Sequence, residues 1–176
     1  MTSDRHLTFH RAAPADVDAI VALVNSAYRG ESSRAGWTTE ADLLDGQRTD
    51  AEEISQLMVA DDSIILLCLH GIDIIGSVHL EKLDAETSYM GMLVIRPVLQ
   101  GQGLGKQFMN AAEQTARAEW GTTRMQIQVI TLRHELIAYY ERLGYRRTGE
   151  IRPFPSDPRY GRPKVTGLKF EVLEKA

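Results

Sequence analysis

Apolar residues recur along this chain with two different periods, and the switches between them outline alternating strands and helices. Arg5–Arg11 reads as a short strand. Behind it Pro14 is preset for a first helical turn and Asp16 suits its positive end, and Val17, Ile20, Val21 and Val24 then follow at helical spacing. Ile64–Leu69, Ile74–Leu83 and Tyr89–Arg96 are strand-like runs separated by polar turns, which predicts an antiparallel meander. Leu104, Phe108, Ala112, Ala116 and Trp120 recur every four residues, so Gly103–Trp120 is the best-defined helix, closed by Gly121. Arg124–Ile130 alternates as a strand, Glu135–Leu143 is helical up to Gly144, Tyr145–Glu150 begins another strand and Leu168–Leu173 is the last.

Two stretches break these periods. Residues 29–48 contain Gly30, Ser32, Ser33, Gly36 and Gly46 beside Trp37 and Leu43, which predicts an ordered loop with a short helix; Thr39 and Asp42 have capping-box spacing. A second helix over Glu52–Val59 carries Ile54, Leu57 and Met58 on one side. Ile151–Gly167 is rich in proline and arginine. The order of elements, without repeats, indicates one α/β (α+β) domain over residues 1–176, a mixed, mostly antiparallel sheet flanked by helices.

Composition narrows the function. With 43% hydrophobic and 25% charged residues over 176, neither disorder nor a fibrous architecture is expected. A net charge of −4 supplies no global basic field for a nucleic acid. No apolar run approaches the roughly 20 residues of a membrane helix, and Met1–His10 lacks the apolar stretch of a leader peptide, so the expectation is a cytoplasmic protein with no membrane partner. Cys68, inside an apolar strand, is the one cysteine and is assigned to the core; His6, His10, His70, His79 and His134 show no metal-ligand spacing, and no metal is expected.

The most informative segment is Gln100-Gly101-Gln102-Gly103-Leu104-Gly105-Lys106, between a strand and the long helix. A helix start exposes unpaired N–H groups and a partial positive charge, and glycines let a phosphate approach that backbone, so a pyrophosphate fits here. The dinucleotide fingerprint requires a small residue where Lys106 stands, and the Walker A motif requires Ser or Thr where Gln107 stands; both fail.

Gln100-x-x-Gly103-x-Gly105 after Leu93-Val94-Ile95-Arg96-Pro97 resembles the coenzyme A signature of the GNAT superfamily of N-acetyltransferases. Downstream, Ala138-Tyr139-Tyr140-Glu141-Arg142-Leu143-Gly144-Tyr145 is similar to that family's second signature, and the order of elements fits over nearly the whole chain. The resemblance implies an enzyme that moves an acetyl group from acetyl-CoA to a primary amine by direct attack on the thioester. It implies that backbone groups of Leu93, Val94 and Ile95 bond the pantetheine arm and acetyl carbonyl, and that Gln100, Gly101, Gln102, Gly103, Leu104, Gly105 and Lys106 hold the pyrophosphate. Gly91 is the expected source of a bulge in the strand edge.

Acetyl transfer needs an uncharged amine, donors for the oxyanion and a proton for the departing thiolate. Tyr140 matches the family tyrosine that protonates the thiolate; the alternative is a packing role, with Tyr139 as the ordinary buried ring, and helical spacing keeps the two from both facing the coenzyme. The positions where several relatives carry a glutamate base read Tyr89 and Gln128, and the family asparagine at the start of the last helix is Arg133. A water relay, Glu81 or His79 is left as base. Residues 28–48 and 151–164 are the expected walls of the acceptor site. Trp37 either covers the acceptor or packs on the core, and Arg152, Arg159, Arg162 and Lys164 form a basic patch suited to an anionic group on the acceptor. The acceptor itself, a small molecule or a peptide, and a homodimer stay open, and a non-catalytic acyl-CoA sensor is the rival reading.

Overall fold

The computed structural model describes residues 6–157 and 161–176. Its strands are β1 (Leu7–Arg11), β2 (Leu44–Asp45), β3 (Ser63–His70), β4 (Asp73–Lys82), β5 (Thr87–Ile95), β6 (Arg124–Ile130), β7 (Arg146–Pro153), β8 (Arg162–Pro163) and β9 (Lys169–Lys175). Its helices are α1 (Val17–Tyr28), α2 (Gly30–Ser33), α3 (Ala51–Val59), α4 (Leu104–Trp120) and α5 (His134–Arg142). Seven strands make one sheet in the order β1-β3-β4-β5-β6-β9-β7, antiparallel throughout except for β5 beside β6, and β2 with β8 makes a separate two-stranded ribbon. This is the mixed, mostly antiparallel single domain that the pattern implied.

The two faces of the sheet sort the alternating residues. Ile64, Leu66 and Cys68 of β3 join Phe108 and Ala112 of α4 and Ile137 of α5 in one cluster, while Ile65 and Leu67 join Ile20, Val24 and Ile54 of α1 and α3 in the other. Cys68 is fully buried there, and burial pushes its thiol up to about 11. Helix ends follow their chemistry: the Asp50 carboxylate accepts from the Glu53 amide at 2.8 Å at the start of α3, and Gly121, at φ 67°, ends α4.

One phase error is built into β5. Met90 faces the α4 cluster but Met92 and Val94 face the other, which strict alternation forbids; the shift falls at Met92, whose φ is 49°, beside a break in the register with β4. The bulge expected from Gly91 therefore lies one residue on. Gly91 answers a different need, since a Cβ there would stand 2.7 Å from the Tyr89 ring. On the other edge of β5, pairing with β6 ends at Tyr89 and Gln126, although both strands continue.

Residues 29–48 differ from expectation too. The short helix is Gly30–Ser33, and no helix starts at Thr39: its hydroxyl bonds Ser33 and the Ala41 amide, while Asp42 pairs with Arg34 at 2.7 Å. The segment is anchored by buried charge instead. Glu40 lies between Arg29, 3.0 Å away, and Arg133 at the start of α5, also at 3.0 Å, and all three side chains are under a tenth exposed. Removing Glu40 takes from two buried cations the carboxylate they share, and breaking a buried pair costs about 3–5 kcal/mol. Glu40→Ala is therefore expected to lower the melting temperature by roughly 10 °C in a thermal scan, whereas Asp42→Ala, at an exposed pair, leaves it within a degree or two.

Candidate active site

Two cavities meet where β5 parts from β6. The first, about 420 Å³, runs from Leu93, Val94 and Ile95 to the turn before α4. Gly101 and Gly103 have φ near +79° and +78°, a conformation that other residues adopt only at a cost, and no atom lies within 4 Å of where their Cβ atoms would be, so the turn stays open to a ligand. No side chain caps α4, and its first helical bond runs from the Gln107 amide to the Gly103 carbonyl, leaving the preceding amides free. The Gln100 carboxamide donates to the Ile95 carbonyl at 2.9 Å and ties turn to strand, but its Oε1 is buried without a partner. Of the residues expected to hold the coenzyme, Leu93, Val94, Ile95, Gln100, Gly101, Gly103, Gly105 and Lys106 line this cavity; the Gln102 side chain is exposed and Leu104 belongs to the core.

The second cavity, about 380 Å³, lies between the diverging strands and the 29–49 segment, with Arg29, Glu40, Arg48, Glu53, Tyr89 and Phe154 among its walls. Tyr140 lines both cavities, as do Tyr28, Leu93, Leu136 and Arg133. Tyr140 is 9% exposed, and no described residue hydrogen-bonds its hydroxyl. Burial, with Tyr28 close by, raises its pKa well above the usual phenol, and the Arg133 charge opposes that rise. Tyr28 donates to the Leu93 carbonyl at 3.0 Å and is itself pushed up to about 12, chiefly by burial.

Both of the paired tyrosines, of which only one was expected to face the coenzyme, line the first cavity. Tyr139 is the outer ring, packed on Trp37 at 5.3 Å, and Tyr140 the inner one. Trp37, 46% exposed, thus sits on the first cavity, neither in the core nor over the second. The basic patch also takes another form. Arg152 pairs with Glu150 at 2.9 Å, Lys164 with Asp45 at 3.2 Å, neither they nor Arg162 lines either of these two cavities, and Arg159 lies outside the described residues.

Neither base candidate reaches the second cavity. Glu81 lies on β4, and His79 is buried beside the Tyr89 ring. The Ser63 hydroxyl gives its proton to the Leu57 carbonyl at 2.7 Å, so it accepts from His79 Nε2 at 2.9 Å, which assigns the neutral tautomer with its proton on Nε2. Arg133 was noted only as the residue at the family's asparagine position, and Arg29 and Arg48 gained no role from the sequence because an arginine in an irregular stretch carries no periodic signal. Tyr28 was detectable, since it continues the stripe of Ile20 and Val24 by one more turn.

The acetyltransferase (GNAT) family model matches residues 20–145. By structure, the chain is similar to a GNAT family acetyltransferase from Elizabethkingia anophelis with acetyl-CoA bound (TM-score 0.67, 18% identity, covering 98% of this chain and 99% of that one). It is similar as well to a putative acetyltransferase from Salmonella typhimurium with acetyl-CoA (0.67, 18%, 96% and 92%). A third likeness is to spermidine N-acetyltransferase from Vibrio cholerae with CoA and spermine (0.69, 14%, 96% and 94%). No curated protein matches by sequence. Among the described residues no cluster of His, Cys, Asp and Glu could hold a metal ion, and no helix is long and apolar enough to cross a membrane.

Burial and the Arg48 charge push His79 down to about 4 from the usual 6.5. A depressed histidine stabilises the fold fully above 6.5, and that contribution is lost as pH falls towards 4, up to roughly 3 kcal/mol. Urea melts of wild type are expected to weaken across this window, and those of His79→Gln to weaken much less.

Proposed function

Because the chain belongs to the GNAT family of acetyltransferases, we propose that it transfers the acetyl group of acetyl-CoA to a primary amine by direct attack on the thioester, with Tyr140 as the general acid. The observation that carries the reading is Tyr140 itself, a buried phenol whose hydroxyl no described residue hydrogen-bonds, at the point where the two cavities meet.

The first cavity suits the coenzyme. Its glycine turn offers free amides to a pyrophosphate, and the unpaired edge of β5 offers peptide groups to the amides of a pantetheine arm, as an added strand would find them. The second cavity suits the amine. Its nitrogen attacks the carbonyl carbon, the C–N bond forms, the C–S bond breaks and the thiolate takes the Tyr140 proton. The ammonium must lose one proton before it attacks and the nitrogen a second as the amide forms, which restores the Tyr140 hydroxyl; with Glu81 and His79 set aside by their positions, a water relay through the open second cavity is the route we assign for the first. A sensor has no use for a partnerless phenol at that junction.

Tyr140→Phe removes only the hydroxyl, so kcat for thiol release is expected to fall by about 10² to 10⁴ with acetyl-CoA affinity nearly intact. Tyr139→Phe is expected to change kcat little, although its ring lines the same cavity; equal losses in both variants would remove Tyr140 from the role.

Gly103→Glu places a side chain and a negative charge on the turn. Acetyl-CoA at about 100 times its Kd stabilises a binding protein by roughly 2.7 kcal/mol, and this gain is expected to vanish in Gly103→Glu, read by thermal shift. An undiminished shift would put the coenzyme elsewhere.

A further inference from the structure

The second cavity is charged out of balance. Three arginines, Arg29, Arg48 and Arg133, line it against two glutamates, Glu40 and Glu53. Both carboxylates are already engaged. Glu40 is gripped by Arg29 and Arg133, and Glu53 accepts from the Thr49 hydroxyl at 2.7 Å. Arg29 also donates to the Gln47 carbonyl, and Arg133 to the Thr38 hydroxyl.

Arg48 is different. Its guanidinium lies over the Tyr28 ring, 5.7 Å from the centroid, and its side chain is 24% exposed. Among the described residues its nearest anion is Glu53 at 3.9 Å, beyond hydrogen-bond reach, and no described residue accepts from the guanidinium. Its charge bears on Tyr28, Tyr89 and His79 alike, and at Tyr89 Arg152 adds positive charge and Glu81 negative. Five N–H donors on a partly desolvated fork, stacked on a ring and left without acceptors, make a receptor for a planar anion.

We propose that Arg48 is the specificity residue of the second cavity and that the acceptor is a primary amine bearing a carboxylate, held by the Arg48 fork while its amine points to the junction at Tyr140. The inference rests on the acetyl-transfer reading. The same charge count disfavours a polyamine, because Glu40 is already held between two arginines and the lining repels a second ammonium with an excess of one cation. The excess also favours the uncharged amine, the form that attacks.

The test takes the protein amino acids, each beside its carboxamide, together with spermidine. Steady-state thiol release with acetyl-CoA measures turnover, and calorimetric titration of the CoA-saturated protein measures binding without chemistry. At least one amino acid is expected to exceed its amide about tenfold or more in kcat/KM. Arg48→Gln is expected to raise that acid's KM by about tenfold to a hundredfold, leaving its amide and acetyl-CoA affinity unchanged, and Arg48→Lys, which keeps the charge but loses the fork, to fall between. Unchanged acetyl-CoA affinity certifies that each variant is folded.

Turnover with amides or spermidine equal to or better than every acid, or an equal effect of Arg48→Gln on acid and amide, overturns the Arg48 assignment and leaves acetyl transfer standing. Binding of an acid that depends on Arg48, without turnover of any amine, sustains the assignment and overturns the acetyl-transfer reading. Neither binding nor turnover of any acid overturns the assignment.

Discussion

A strand in the middle of a sheet that stops pairing with its neighbour must do something with its free peptide groups, and the rest of this site follows from how β5 meets that constraint. Its ladder to β6 ends at Tyr89, and its ladder to β4 is interrupted at Met92. Unpaired N–H and C=O groups buried in protein are costly, so such an edge persists only where it opens on solvent or on a ligand with peptide-like groups. The divergence also leaves a gap between strands that side chains do not fill. Two cavities, one toward the glycine turn and one toward the 29–49 segment, are the two ends of that gap.

Keeping such a gap open within a domain of this size needs a rigid frame, and charge supplies it. The triad of Arg29, Glu40 and Arg133 joins the end of α1, an irregular segment and the start of α5 across the cavity wall. An apolar cluster would tend to collapse into the space, whereas buried ions in fixed hydrogen-bond geometry hold their separation, at the cost of desolvation that only mutual pairing offsets. Arg133 serves both ends: its Nη atoms hold the frame, and its Nε, buried without an acceptor, remains where the cavities meet.

The elements that periodicity can encode were the ones legible in the sequence. Strands with alternating residues and α4 with its four-residue stripe came within a few residues of their observed ends, and the glycine turn was recognisable because φ near +79° restricts residue type. The bulge was misplaced by one residue because Met92 adopts a positive φ that its side chain does not advertise, while Gly91 is there for the Tyr89 ring. Residues 29–48 resisted for a deeper reason. Their order comes from contacts to residues some 90 positions away, such as Glu40 with Arg133, and no local pattern separates a charge that will be buried from one that will be solvated. Of the cations of 152–164, Arg152 and Lys164 have partners in Glu150 and Asp45, and the second of these lies too far back along the chain for a local pattern to show it.

Burial of Tyr140 has a chemical consequence. In water an alkyl thiol ionises near pH 8.5 and a phenol near 10, so proton transfer from tyrosine to a thiolate runs uphill, and burial raises the phenol further. A leaving thiolate, however, would form in the same dry junction and lose the same hydration, so its affinity for a proton rises with that of the phenolate. The mismatch is set by what distinguishes the two positions. Arg133 is one such difference, since its charge stabilises an anion on the phenol and restores part of its acidity. On the proposal that Tyr140 is the general acid, the residue that frames the cavity wall also adjusts that acid, and the frame and the chemistry are one arrangement of charge.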